Sequence, residues 1–186
     1  MQQSHYLEGQ FLISMPNMTD QRFDQSVVYL FLHNNDGAMG IVINKIFPEI
    51  NFKKILSELN IMSSQALMDI NIHYGGPVEI ERGFVLHSTE CKNISNLNTN
   101  NISITSTIKI ITDLANGNGP ENNIFVLGYA GWGPGQLEYE LSKNAWINTP
   151  YNKEIMFDKD IKSKRQRALQ TIGVNLSKLS SNVGNA

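Results

Sequence analysis

This chain of 186 residues has one cysteine and no excess of positive charge. Cys91 cannot form a disulfide within the chain, and the sequence has no Cys/His spacing typical of a zinc site. Lys and Arg number 15 against 17 Asp and Glu, which gives a net charge of -2. A chain with this balance has no general attraction for phosphate backbones. We therefore expect no metal, no cofactor and no direct binding to nucleic acid.

Long hydrophobic runs are also absent from the sequence. The longest apolar stretches fall well short of the ~20 residues that span a bilayer. Residues 1–5 contain no basic segment leading into an apolar stretch, as a secretory signal would. A single cysteine suits a reducing compartment. We expect a cytoplasmic protein that does not associate with membranes.

The length and the even composition of the chain predict one folded domain over residues 1–186. Hydrophobic residues make up 41% of the sequence, and a chain of this size can bury a core without disulfide or metal support. No repeat, linker or change in composition divides it. The alternation of hairpin-like and helical segments predicts the α+β class.

The strongest local pattern is a hairpin in the first quarter of the chain. Residues 26–33 are apolar on both faces, which predicts a strand that is covered on both sides. Asp36 and Gly37 tolerate the backbone of a tight turn, and residues 38–43 return as the partner strand. We expect this hairpin to lie at the centre of the sheet.

Other segments carry weaker signals. Further strands are predicted over 10–13, 70–74, 83–87, 102–104 and 123–127. Helices are predicted after Asn51, after Ser106 with Ile108, Ile111 and Ala115 on one face, and near the C-terminus with Ile161, Ala168, Leu169 and Ile172 on one face. Residues 91–101 lack periodicity and are predicted to form an exposed loop that contains Cys91.

The most informative segment is the glycine-rich block at residues 127–141. An apolar run is expected to stop there in a turn that includes Gly131, Trp132 and Gly133, and an amphipathic helix follows. The glycines have no Ser, Cys, His or Lys among them, so the block lacks the nucleophile of a hydrolase. We interpret Trp132 as a plug at the edge of the core, with stacking on a ligand as the alternative. Phosphate binding at the helix start is disfavoured by Pro134 and by two glutamates.

A second group of candidate residues lies on the strand predicted at 83–87 and at other strand ends. Arg82 can pair with a carboxylate or phosphate, and His87 can titrate near neutral pH. Their odd separation places them on opposite faces of a strand, so we interpret both as structural. His33 and His73 each end an apolar strand and are interpreted as hydrogen-bonding residues rather than metal ligands.

The only concentration of positive charge lies near the C-terminus. We interpret this cluster as a solvated helix face, although it is also where phosphate contacts would have to be made. Its members are Lys159, Lys162, Lys164, Arg165 and Arg167.

Taken in order, several motifs make the sequence similar to the AlgH/YqgE family over nearly its whole length. They lie at residues 26–30, 37–44, 75–78, 82–88 and 128–138, where the last contains Gly-Tyr-Ala-Gly-Trp-Gly-Pro-Gly. The resemblance implies a bacterial α+β protein with a strongly curved, partly barrel-like mixed sheet flanked by helices. The family is labelled a transcriptional regulator family, but the resemblance supplies no catalytic residue and no ligand.

The sequence departs from the family pattern in three places, the first of which covers two residues. Lys45 and Ile46 stand where the family commonly has Arg-Pro, so a role that needs a guanidinium group there is in doubt. Arg165 replaces a usual Trp. Asn185 replaces a usual His, which removes a general base from that position.

From these observations we predict a non-enzymatic binding or regulatory protein with an unidentified protein or small-molecule partner. Two alternatives stay open: a DNA-associated transcriptional regulator, and an enzyme with its site near Arg82 and Trp132. The predicted binding surface contains Asn44, Arg82, His87, Gly131, Trp132 and Gly133.

Overall fold

A computed structural model describes residues 6–63, 70–89, 97–99 and 102–174 of the chain. The strands in these ranges are β1 (Phe11–Ser14), β2 (Val27–Asn34), β3 (Gly37–Val42), β4 (Ile46–Asn51), β5 (Asn71–Tyr74), β6 (Val78–Ser88), β7 (Leu97–Thr99), β8 (Ile102–Thr105), β9 (Asn123–Trp132) and β10 (Trp146–Thr149). The α-helices are α1 (Phe52–Glu58), α2 (Ile108–Ala115), α3 (Gln136–Ser142), α4 (Lys153–Met156) and α5 (Lys164–Gln170), and a 3-10 turn spans Gln21–Phe23.

The described strands form one mixed sheet. Its main path runs in the order β10-β1-β2-β3-β9-β6-β8-β7, with β5 paired to β9 and β4 paired to β5. The pairing of β5 with β9 is parallel, whereas β9 runs antiparallel to β3 and β6. The sheet is strongly curled and open. The predicted α+β class and curved sheet are therefore confirmed.

The predicted central hairpin is confirmed as β2 and β3. Strand β2 pairs with β1 on one side and β3 on the other. Its side chains are buried on both faces: Val27, Tyr29 and Phe31 join one core cluster, and Val28 and Leu30 join another. Alternation along a strand sends neighbouring side chains to opposite faces, so one fully apolar strand serves both layers.

Strand β9 lies between β3 and β6 and so links the two halves of the sheet. Its length shows that the interpretation of the glycine-rich block was wrong. The segment was predicted to turn after residue 127, but β9 continues to Trp132 and pairs there with β3. Gly128 allows this continuation because its φ is 74°. A Cβ at Gly128 would lie 2.5 Å from the carbonyl oxygen of Gly76, so the two backbones can approach closely only without a side chain.

The first two helices lie over a core layer made with β5, β6 and β9. Helix α1 begins as predicted, with Asn51 Oδ1 accepting from the Lys54 N–H at 2.9 Å. Helix α2 is capped by Thr107 rather than by the predicted Ser106. The placement of Ile108 on its apolar face was wrong, because Ile108 lies in the first turn and is 62% exposed.

Several elements were not predicted from sequence. Strands β4 and β10 and helix α4 were missed, and β6 begins five residues earlier than expected. The predicted loop at residues 91–101 is wrong over β7, which pairs with β8. Cys91 lies outside the described residues. Of the helices in the described ranges, none has the length and apolar character needed to cross a bilayer.

Candidate functional site

The glycine-rich block is held by a hydrogen-bond network that we call the Glu140 latch, made of Trp132, Trp146, Gln136, Glu140 and the Gly133 amide. Trp132 and Trp146 both donate an indole N–H to Glu140 Oε2, at 2.9 and 2.7 Å. Gln136 donates to Glu140 Oε1 at 2.9 Å and accepts from the Gly133 N–H at 3.0 Å. The latch uses both carboxylate oxygens of Glu140 and the amide that a bound phosphate would need.

Trp132 itself is packed rather than presented to solvent. Its side chain is 6% exposed, and its ring stacks on Phe23 with centroids 6.3 Å apart. The Trp146 ring meets it edge-on at 5.8 Å. This packing supports the interpretation of Trp132 as a plug at the edge of the core.

The other predicted site residues are bonded within the fold and do not converge. Asn44 accepts from the Val27 N–H at 2.7 Å and donates to the Gln25 carbonyl at 2.8 Å. Arg82 is exposed and pairs with Glu79 at 2.9 Å. Of the six residues, only Gly131 and Trp132 line a common groove in the described part of the chain.

His87 is fully buried between two partners. Its Nδ1 donates to the Ser88 carbonyl at 3.0 Å, and its Nε2 lies 3.0 Å from the Thr105 hydroxyl. Arg82 lies in the exposed first part of β6 and His87 in its buried last part. This difference in burial follows position along the strand, so the expectation that the two residues lie on opposite faces stays a prediction.

A different part of the molecule holds buried polar groups to which the described residues supply few partners. It is a cavity of about 480 Å³ between the start of β9, strand β5 and the segment that joins α4 to α5. Its walls include Ile70, Asn71, His73, residues 121–125, Phe157, Asp158, Lys159, Ile161 and Lys164. We call it the His73–Lys164 cavity.

Lys164 is the fully buried cation of this cavity. Its ammonium donates to the Met156 carbonyl at 2.5 Å, and the described residues supply no carboxylate partner for it. Burial lowers the pKa of Lys164 to about 8, so the side chain is still mostly protonated at pH 7. A buried ammonium with one acceptor has donors to spare for an anion.

His73 lies on the same wall and is 7% exposed. Its Nδ1 is buried and has no hydrogen-bond partner among the described residues. Burial, together with the nearby Lys164 charge, lowers the pKa of His73 to about 4. The imidazole is therefore neutral at pH 7.

The other charged residues of the cavity lie at its rim, where they are either paired or exposed. Lys164 is therefore the main charge inside the cavity. Asp158 is paired with Arg167, so its carboxylate is already neutralised. Glu121 and Lys159 are exposed, where water and salt screen their charges. Among the described residues, no group of three His, Cys, Asp or Glu side chains converges as a metal site would require.

The structure also corrects the interpretation of the basic cluster as a solvated face. Lys164 is buried, Arg167 is paired with Asp158, and the Arg165 guanidinium donates to the Ser14 carbonyl at 2.9 Å. Only Lys159 and Lys162 remain exposed. The cluster is therefore not a continuous basic surface.

Comparison with known proteins identifies the family. The AlgH-like family model matches residues 11–177. This chain belongs to the AlgH-like family. The resemblance inferred from its sequence motifs is confirmed.

Relatives of this AlgH-like chain match it over nearly their full length. A UPF0301 protein of Afipia carboxidovorans is 43% identical over 190 residues, covering 97% of this chain and 90% of that protein. A UPF0301 protein of Rhodospirillum rubrum is 41% identical over 182 residues, covering 97% of this chain and 95% of that protein.

Solved structures show the same fold. The solution structure of the AlgH protein from Pseudomonas aeruginosa matches with a TM-score of 0.81 at 40% identity, covering 100% of this chain and 99% of that one. A crystal structure of a protein from Corynebacterium diphtheriae matches with a TM-score of 0.71 at 16% identity, covering 97% and 94%. The second match concerns the fold alone.

Sequence reasoning missed the cavity in this AlgH-like chain, although one signal pointed to it. Lys164 lies three residues after Ile161 and four before Ala168, so it falls on the apolar stripe of the predicted C-terminal helix. A lysine on such a stripe is buried or reaches past it. His73 carried no comparable signal, since its unpaired Nδ1 depends on the packing of distant segments.

Proposed function

We propose that this AlgH-like chain is a non-enzymatic binding protein that holds a small anion in the His73–Lys164 cavity. The observation that carries the proposal is the fully buried Lys164 in the wall of the cavity, whose ammonium has a single carbonyl as its acceptor among the described residues. Burying a charge without a counter-charge is costly, and a carboxylate or phosphate in the cavity offsets that cost.

The size and lining of the cavity support a small-molecule ligand. A volume of about 480 Å³ suits a metabolite. The wall combines apolar side chains such as Ile70 and Phe157 with a few polar groups, as binding sites for small molecules do. None of the described lining residues carries a hydroxyl or thiol, which favours binding over nucleophilic catalysis.

A regulatory role follows naturally from ligand binding in such a cavity. The walls come from β5, β9 and the segment between α4 and α5, so a ligand there contacts elements that are distant in sequence. A ligand that prefers one arrangement of these elements shifts the population toward it. Such a protein transmits the presence of the ligand to a partner without touching DNA.

The proposal is tested by thermal unfolding in the presence of small anions at low millimolar concentration. Phosphate, malate, succinate and lactate form the anionic panel, and glycerol and glucose are the neutral controls. A ligand that binds the folded state raises the unfolding temperature in proportion to its affinity. We expect a shift with at least one anion and none with the neutral compounds.

Lys164→Met and Lys162→Met form the matched variant pair. Lys162 is an exposed cation two residues from Lys164, and it does not line the cavity. The shift should vanish in Lys164→Met and persist in Lys162→Met. Equal shifts in both variants would show that the anions act by a general salt effect, and the proposal would be wrong.

A further inference from the structure

His33 near the end of β2 joins two parts of the chain that are far apart in sequence. Its Nδ1 accepts from the Leu7 N–H at 3.0 Å, and its Nε2 lies 2.8 Å from Glu138 Oε1. A backbone N–H only donates, so Nδ1 carries a lone pair and the ring proton is on Nε2, which donates to the carboxylate. The bond from Leu7 therefore exists only while Nδ1 is unprotonated.

Leu7 belongs to a short segment, residues 6–8, which we call the N-terminal strap. The Tyr6 ring meets the His33 ring edge-on, with centroids 5.1 Å apart, and its hydroxyl donates to Asn35 Oδ1 at 2.6 Å. The Leu7 side chain packs against the apolar core cluster shared by the β2–β3 hairpin and α3. Of these contacts, the bond to the His33 ring is the one that a change of protonation removes.

We propose that His33 is a pH-sensitive switch, in which protonation of Nδ1 releases the N-terminal strap while the bond from Nε2 to Glu138 stays. A protonated Nδ1 and the Leu7 N–H are two donors that face each other, so both lack an acceptor while the strap is docked. The His33 side chain is 2% exposed, so little water reaches it in the docked state. Leaving such donors unpaired weakens docking of the strap roughly tenfold or more, and docking opposes protonation by the same factor.

The charges around the ring only weakly favour its protonation. Glu138 is 52% exposed, so solvent screens its attraction for an imidazolium. Glu8 in the strap and Asp36 in the turn after β2 are exposed, and within the described residues neither is bonded to the ring. On β3 the residue paired with His33 is Ala38, which carries no charge. The contact with the strap, which favours the neutral ring, is therefore opposed by one screened carboxylate.

Release of the strap changes the surface beside the glycine-rich block. The core cluster on which Leu7 packs contains Trp132 and Leu137, so release exposes part of that apolar surface. Helix α3 stays on the hairpin, because Glu138 still accepts from Nε2. The switch therefore alters one edge of the block without unfolding it, and it does not depend on a ligand in the His73–Lys164 cavity.

The test is a pH titration of the full chain by NMR, from about pH 7.5 to about pH 5. Long-range proton–nitrogen spectra report the protonation of the His33 ring, and the heteronuclear NOE of the Leu7 amide reports whether the strap is ordered. The Gly9 amide is the reference, since it donates to the Leu30 carbonyl at 2.7 Å and lies outside the strap. We expect the Leu7 NOE to fall as the ring becomes protonated and the Gly9 NOE to stay high.

Two substitutions separate the titration of His33 from a general effect of acid. In His33→Asn the amide oxygen lies near the position of Nδ1 and accepts from the Leu7 N–H at every pH, so the strap should stay docked. In Glu138→Gln the amide oxygen still accepts from Nε2, but no charge supports the imidazolium. The midpoint of release should then move to lower pH, by roughly half a pH unit.

The wild-type titration decides the proposal even if a variant does not fold. An ordered Leu7 amide beside a protonated His33 ring would overturn the switch. A ring that stays neutral until the whole protein unfolds in acid would overturn it as well. Release of the strap in His33→Asn at the same pH as in the wild type would assign the effect to another group and would also contradict the proposal.

Discussion

The Glu140 latch and the His73–Lys164 cavity both contain buried or half-buried polar side chains, but they differ in how completely those groups are paired within the described residues. In the latch, one carboxylate accepts two indole N–H groups and a side-chain amide. In the cavity, the described part of the chain offers no partner to Nδ1 of His73 and one to the Lys164 ammonium. Buried polar groups in folded proteins are nearly always paired, so an unpaired group requires an explanation.

From this difference we interpret the latch as structural and propose the cavity as the binding site. The glycine-rich block looks functional because its sequence is unusual, yet its polar atoms are consumed within the chain. The cavity has no conspicuous motif, yet two of its buried polar groups have no partner or only one among the described residues.

The largest expected effect concerns Trp132 in the latch. Because Trp132 is packed against Phe23 and Trp146, Trp132→Ala should destabilise the protein by about 3–5 kcal/mol. Urea unfolding measures the change. Tyr139→Ala is the control, since Tyr139 is 63% exposed on the adjacent helix and should change stability by less than about 0.5 kcal/mol. If Trp132→Ala unfolds at the same urea concentration as the wild type, the structural role of Trp132 is contradicted and the glycine-rich block is better explained as a recognition site.

The second effect is a pH dependence from His73 in the cavity. Its pKa falls from 6.5 to about 4 on folding, so the unfolded chain binds more protons between these values. Stability from this group is full above pH 6.5 and is lost as the pH falls toward 4, by roughly 3 kcal/mol in total. Unfolding experiments across this range should show the loss in the wild type.

The control for the pH effect is His73→Gln. This variant should lack the part of the acid destabilisation that belongs to His73, while the contributions of the carboxylates remain. Superimposable pH profiles of the two proteins would contradict the assignment of a neutral, buried imidazole.

The third effect concerns the backbone of the latch. Gly135 precedes α3 with a φ of 72°, whereas Gly133 has no positive φ. A Cβ at Gly135 would meet no atom within 4 Å, so Gly135→Ala tests backbone strain alone and should cost about 1 kcal/mol. Gly133→Ala should cost less. A larger loss at Gly133 than at Gly135 would contradict this account of the turn.

The smallest expected effect is on DNA. Because Lys164 is buried and Arg167 is paired, the exposed charge left in the basic cluster is carried by Lys159 and Lys162. We expect no sequence-selective duplex binding at physiological salt and at most a weak, salt-sensitive association. Fluorescence anisotropy with labelled duplexes measures it. A nanomolar, sequence-selective complex would support the DNA-associated regulator instead.

The parts of the fold that could be predicted are those in which local pattern and tertiary packing agree. The hairpin of β2 and β3 has apolar strands and a turn of suitable residues, and the N-cap at Asn51 is a local hydrogen bond. Strands β4 and β10 could not be predicted, because β4 contains Pro48 and is largely exposed, and β10 is short. Their pairing depends on strands far away in the sequence.

The candidate site was predicted less well than the fold. The interpretation of Trp132 as a structural residue agrees with its packing. Arg82 and His87 differ in burial because the first part of β6 is exposed and its last part is buried. The cavity could not be foreseen because it needs β5, β9 and the segment before α5 to meet in space. A sequence shows which residues can carry charge, but it does not show which of them are buried without a partner in the folded protein.

The most direct test of the cavity as a ligand site is long-range proton–nitrogen NMR of the histidine side chains, with and without lactate. His33 is an internal reference, because its Nδ1 accepts from the Leu7 N–H and its Nε2 donates to Glu138. We expect lactate to shift the ring nitrogen signals of His73 and to leave those of His33 unchanged. Signals of His73 that stay fixed while lactate binds would contradict the account.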